Sequence, residues 1–256
     1  MLIITSQRIT RRFSDIITKS TSKFCNLTVM NEVQENLRRV RQQMDDIKPG
    51  VCLVAVSKTK PPEAIRTLYD IGHKHFGENY VQELLSKVAI LPSDICWHFI
   101  GHLQSQKAKQ LIEGVPNLYL LESLDSQKLA NKLNKVLQSQ EREPLRVYIQ
   151  VNTSLEDTKS GITFDNAVDL AIHVRDHCPY LILAGLMTIG APNDSSCFDT
   201  LVECRQKVGE ALSVDPSTLD LSMGMSGDYQ DAIHRGATSV RVGSVIFGNR
   251  EYGVSS

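Results

Sequence analysis

A lysine directly after a valine-rich run is the first residue placed to do chemistry. Val54-Ala55-Val56 leads into Ser57-Lys58-Thr59-Lys60-Pro61. A primary amine partly withdrawn from water holds its proton less tightly and becomes nucleophilic towards aldehydes. Lys60 shares the strand parity of Lys58 but abuts Pro61 at the start of a helix, so Lys58 is the preferred amine. Far downstream, two glycine–serine turns offer complementary chemistry. Gly224-Met225-Ser226-Gly227 precedes a helical pattern, and Gly243-Ser244 follows a valine-containing run. Amides and hydroxyls at such turns favour anions, phosphate among them. Arg241 lies inside that last apolar run, and a guanidinium keeps its proton and can only donate. An amine with a phosphate cradle points to pyridoxal phosphate, which proteins hold through a Schiff base.

These groups are far apart in sequence, so the elements between them must bring them together. Val51 to Val56 reads as a strand buried on both faces, as in parallel sheets. Seven further strand-like runs follow: His75–Gly77, Trp97–Ile100, Leu118–Leu121, Val147–Val151, Leu181–Met187, Leu219–Met223 and Val240–Gly243. Helical spacing fills the gaps at Val81–Val88, Lys107–Ile112, Ser126–Leu137, Asn166–His177, Phe198–Leu212 and Tyr229–His234. Asp125 and Asp165 are the expected starts of two of these helices. Pro61-Pro62 starts another, since proline suits a first helical turn. Val33, Leu37 and Val40 mark a helix ahead of the first strand, with Asn31 as its expected cap.

This alternation predicts an α/β fold, a (β/α)8 barrel with an additional N-terminal helix. A doubly wound sheet competes, but it usually carries a glycine-rich turn after its first strand. Val56-Ser57-Lys58-Thr59-Lys60-Pro61 contains no glycine. In a barrel, reactive groups gather at the C-terminal ends of the strands, and the loops after strands seven and eight are the recurrent phosphate site. Ser226, Gly243 and Ser244 fall in those two loops, and Lys58 follows the first strand.

Composition excludes other classes. The formal net charge of -1 gives no basic field for nucleic acid. The longest stretch free of charged residues, His177 to Asn193, is interrupted by proline and too short to span a bilayer. The six cysteines form no C-x-x-C pair, so reduced, mostly buried thiols and no metal are expected. The first 30 residues stand apart: Arg8, Arg11, Arg12, Lys19 and Lys23 face the single acid Asp15 among many serines and threonines. That composition fits a mitochondrial transit peptide or an untargeted extension. The expected organisation is a basic extension over 1–30 and a barrel over 31–256, in the cytosol with mitochondria as a second destination.

Seven segments, in order, resemble the pyridoxal phosphate homeostasis protein family: Val54 to Pro61, Phe76 to Glu83, Trp97 to Lys107, Lys159 to Gly161, Gly185 to Ile189, Ser222 to Ser226 and Val240 to Gly248. The resemblance runs from about Asn31 to Tyr252 and implies a barrel similar to that of alanine racemase. It implies that Lys58 forms the internal aldimine and that Ser226, Gly243 and Ser244 hold the phosphate. It also implies that Arg241 faces the pyridine nitrogen and that Asn79 lies in a motif lining the pocket. Two positions depart from the pattern: His102 and Gln106 stand where proline and asparagine are expected.

An arginine at the ring nitrogen leaves that nitrogen unprotonated, so the ring is a weak electron sink. A racemase also needs a second acid/base on the opposite cofactor face. Tyr80, Tyr119, Tyr148, Tyr180 and Tyr229 have no persuasive partner, only four residues follow Tyr252, and His98 reads as a satisfied core residue. The resemblance implies a role in pyridoxal phosphate homeostasis and supply, with apo-enzymes as partners; the expectation is a monomeric, non-catalytic protein with no catalytic residue. A small racemase and a phosphate-ligand sensor are the alternatives.

Overall fold

The computed structural model describes residues 30–154, 160–191 and 194–248. Eight parallel strands close into a barrel in sequential order: β1 Cys52–Val56, β2 His75–Glu78, β3 Cys96–Phe99, β4 Leu118–Leu124, β5 Leu145–Gln150, β6 Leu181–Met187, β7 Asp220–Ser222 and β8 Ser239–Val242. β8 pairs with β1 from Ser239↔Cys52 to Val242↔Ala55, which completes the ring. The (β/α)8 expectation therefore holds, and all eight expected strands are present. Closure removes every exposed sheet edge.

The outer ring comprises α1 (30–47), α2 Pro62–Tyr69, α3 Val81–Val88, α4 Ala108–Gly114, α5 Gln127–Ser139, α6 Phe164–His177, α7 Ser196–Leu212, α8 Tyr229–His234 and the single turn α9 Ser244–Phe247. Each amphipathic helix buries its apolar face on the strands. Leu37, Val40, Ile65, Leu68, Leu84, Leu111, Leu133, Leu170 and Leu201 join Trp97, Phe76 and Phe99 in one continuous core. A separate small cluster of Leu120, Tyr148, Ala184 and Met187 fills part of the barrel interior.

Several helix starts differ from expectation. Residue 30 is already helical, so Asn31 lies within α1 rather than capping it. Ser126, not Asp125, caps α5, because its side chain accepts the Leu129 amide at 3.3 Å. Thr163 precedes α6, and Asp165 sits in its first turn, where its charge complements the helix dipole. A 3-10 turn at Ser105–Lys107 precedes α4. The basic extension over 1–29, Cys25 and Lys159 lie outside the described residues. Cys178, Cys197 and Cys204 are buried as expected, but Cys52 and Cys96 are half-exposed. Among the described residues, no helix is long and apolar enough to cross a membrane.

Candidate functional site

The barrel's C-terminal mouth holds a cavity of about 270 Å³, at the small end for ligand sites. Lys58, Ser226, Arg241, Gly243 and Ser244 all line it, together with Val56, Lys60, Ile100, Met225, Gly227 and Gly248. Five of the six expected site residues thus converge. Asn79 does not line the cavity. Its backbone lies against Gly101, where an added Cβ would lie 2.2 Å from the Asn79 carbonyl oxygen. Its buried Oδ1 has no hydrogen-bond partner.

The loop carrying Lys58 is held on both sides. Ser57 Oγ donates to Glu78 Oε1 at 2.6 Å, and the buried Lys87 ammonium donates to the Ser57 carbonyl at 2.9 Å. Lys87 also pairs with Glu78 at 2.7 Å and Glu83 at 2.6 Å. Glu83 in turn accepts the Thr59 amide at 2.6 Å. Thr59 has φ 63, a left-handed conformation that a non-glycine residue keeps only when its surroundings fix it. Burial raises the Glu78 carboxyl despite the opposing pull of Lys87 and Ser57. Lys58, half-buried, projects from this braced turn. Lys60 has a structural duty instead, as its ammonium donates to the Phe247 and Gly248 carbonyls at 3.0 and 3.3 Å.

The two glycine–serine turns meet. The Gly243 amide donates to Ser226 Oγ at 3.1 Å, which leaves the hydroxyl proton of Ser226 free to turn towards the cavity. Gly224 has φ 92, and a Cβ there would lie 2.6 Å from that of Ala232, so only glycine permits this turn. One expected donor is committed elsewhere: the Met225 amide donates to Asp228 Oδ1 at 2.6 Å. The Gly243 amide is likewise spent on Ser226, so the two turns face the cavity chiefly with the hydroxyls of Ser226 and Ser244.

Arg241 is 4% exposed. Its Nη1 donates to Ser222 Oγ and its Nη2 to the Thr188 carbonyl, each at 2.7 Å. Burial lowers its proton affinity, opposed by Glu122 and Asp228. Ser222 Oγ donates onward to Glu122 Oε2 at 2.6 Å, and His98 Nδ1 meets Glu122 Oε1 at 2.7 Å. Burial alone would raise Glu122, but His98, Arg241 and Ser222 hold it below its ordinary range. His98 is thus a satisfied interior histidine, as expected, but part of a polar chain through the barrel rather than of an apolar core.

Sequence reasoning missed Glu78, Glu83, Lys87 and Glu122. The Glu83–Lys87 spacing of four and an acid ending the run Leu118 to Leu121 were the available signals. The departures at His102 and Gln106 leave their loop ordered, with His102 against Asp125 at 3.1 Å and Gln106 donating to Gln104 at 3.1 Å.

The family described as alanine racemase, N-terminal domain, matches residues 30–251. The pyridoxal phosphate homeostasis protein of Mus musculus is 45% identical over 241 residues, covering 88% of this chain and 86% of that protein. The chain belongs to the pyridoxal phosphate homeostasis protein family. The Schizosaccharomyces pombe member is 44% identical over 229 residues, covering 86% of this chain and 94% of that protein. PipY of Synechococcus elongatus PCC7942, solved with pyridoxal phosphate bound, is 33% identical with a TM-score of 0.70, over 84% of this chain and 100% of PipY. Alanine racemase of Corynebacterium glutamicum, at 15% identity, shares the fold, with a TM-score of 0.68 over 89% of this chain and 63% of the racemase.

The donor set of this family member suits that cofactor. Two lysine amines, two serine hydroxyls and a buried guanidinium surround the cavity, and its described lining contains no carboxylate to repel a phosphate. Its described lining also contains no tyrosine or histidine. Tyr148 donates to Asp220 at 2.8 Å and Tyr229 to Gln43 at 2.5 Å, so both hydroxyls serve other contacts.

Proposed function

We propose that this chain binds pyridoxal phosphate at the barrel mouth and takes part in its intracellular homeostasis and supply. When bound, the group supplies an aldehyde that condenses reversibly with a primary amine, releasing one water. Lys58 is the amine. Ser226, Gly243 and Ser244 hold the phosphate, Arg241 donates to the ring nitrogen, and Asn79 backs the pocket wall. Lys60 stays on its two carbonyls and fixes the segment that closes the cavity. The observation that carries the reading is the convergence of Lys58, Ser226, Arg241, Gly243 and Ser244, from three separate strands, on one cavity in a member of this family.

The chain acts as a monomeric carrier rather than a catalyst. Supporting this, the cavity's described titratable groups are Lys58, Lys60 and Arg241, with no second proton carrier opposite Lys58. Arg241 also keeps its own proton. Apo-enzymes that use the cofactor are its recipients. Tyr80, Ile189, Met225 and Val245, exposed apolar side chains on segments leaving β2, β6, β7 and β8, suit transient docking there. The protein works in the cytosol, and its basic extension directs a share to mitochondria; fractionation with residues 1–29 deleted tests that share.

Borohydride reduction followed by peptide mapping tests the site. A pyridoxyl adduct on Lys58, lost in Lys58→Ala and kept in Lys60→Ala, is expected; an adduct on Lys60 overturns the assignment. The fold likeness to alanine racemase favours a second reading, a small racemase. Sustained, Lys58-dependent exchange of solvent deuterium into amino acids would establish it.

A further inference from the structure

The opposite end of the barrel carries a cluster that the mouth does not use. Cys52 opens β1, His75 opens β2 and His98 lies in β3, so three adjacent strands present them together. Their ligand atoms all lie within 4.8 Å of one another. His75 Nδ1 and His98 Nε2 are 3.0 Å apart. Two nitrogens on one tetrahedral zinc ion, each about 2.0–2.1 Å from it, are separated by roughly 3.3 Å. A few tenths of an ångström of side-chain movement would therefore admit the ion between them.

His98 is also oriented as a metal-binding imidazole is. Its Nδ1 is engaged by Glu122, which directs Nε2 at His75 and Cys52. A carboxylate behind a histidine fixes the ring and strengthens its free nitrogen as a ligand. Entry is open, because a cavity of about 450 Å³ beneath α1 is lined by both Cys52 and His75. The cations lining that cavity are engaged elsewhere: Lys74 pairs with Asp94, and Arg41 donates to His73 at 2.8 Å.

We propose that Cys52, His75 and His98 form a binding site for a borderline-soft divalent cation, Zn²⁺ foremost, with water from the cavity in the fourth position. One thiolate with two imidazoles suits zinc over calcium or magnesium, which take oxygen ligands. On binding, the Cys52 thiol gives one proton to solvent. His75 carries its ring proton on Nε2, so that Nδ1 faces the ion. The site shares no ligand residue with the mouth and stands whether or not the cofactor reading does.

Cobalt(II) titration of the chelator-stripped, full-length protein tests this, with Zn²⁺ as the displacing ion. One equivalent of cobalt with visible tetrahedral bands and a thiolate-to-cobalt charge-transfer band, bleached by zinc, is expected. Cys52→Ala should abolish the charge-transfer band, and His75→Gln should weaken binding about tenfold or more. Both residues are half-exposed at the barrel end, so circular dichroism should report wild-type folding. Lys58→Ala should bind cobalt as the parent does, separating this site from the cofactor cavity. A wild-type protein without the charge-transfer band, or a titration unchanged in both Cys52→Ala and His75→Gln, would overturn the proposal.

Discussion

The two ends of this barrel solve different problems with the same strands. At the C-terminal mouth the chemistry is carried by turns: a braced lysine and serine hydroxyls around a cavity whose described lining has no carboxylate. At the N-terminal end it is carried by side chains on the strands themselves, Cys52, His75 and His98, with Tyr119 packed on both histidine rings at 5.3 Å. Glu122, wholly buried, joins them, reaching His98 on one side and Arg241 through Ser222 on the other. Turns can hold an anion through backbone dipoles, whereas a cation needs lone pairs that only side chains supply in number.

Cutting the link between the ends should have the largest effect. Glu122→Leu leaves Arg241 buried without its carboxylate, a loss of about 3–5 kcal/mol in unfolding free energy. Denaturant unfolding measures it, and a change below 1 kcal/mol on the same scale would mean that the two ends are not coupled through this residue. At the mouth, Lys87→Met breaks the buried brace beneath Lys58, costing about 3 kcal/mol by the same rule. It should also slow borohydride-trapped adduct formation on Lys58; an unchanged rate would show that the turn holds itself.

At the far end, burial holds His73 down to about 3 from its ordinary 6.5. The unfolded chain therefore binds the extra proton first as pH falls, so His73 stabilises fully above 6.5 and loses that contribution between 6.5 and about 3. One proton sets an upper slope of about 1.4 kcal/mol per pH unit. Unfolding followed with a chelator present should show a shallower slope in His73→Phe. The mouth's serines carry the smallest effect: Ser226→Ala and Ser244→Ala should each weaken cofactor retention by about 1 kcal/mol, one hydrogen bond apiece. Equilibrium dialysis of the double variant checks this, and an unchanged dissociation constant would remove them from the cradle.

Much of the mouth was legible in the chain itself. Lys58 after a valine run and serines beside glycines after the seventh and eighth strands mark turns at strand ends, and a barrel puts all such ends on one rim. The close approach of the Asn79 backbone to Gly101, by contrast, joins the loops after β2 and β3 and is written in neither segment alone. The Met225 amide was misjudged because Asp228, three residues on, folds back to take it.

The number of strands, their order and the lysine at the rim follow from patterns written within a few residues, because burial periodicity and turn chemistry act locally. The meeting of Cys52 with His75 and His98, and of Arg241 with Glu122, is decided by how eight strands are staggered around the ring. Register shifts at Trp97/His98 and between Leu121 and Leu124 help set which side chains face one another. Stagger is a property of closure, shared by all the strands, and no single segment encodes it.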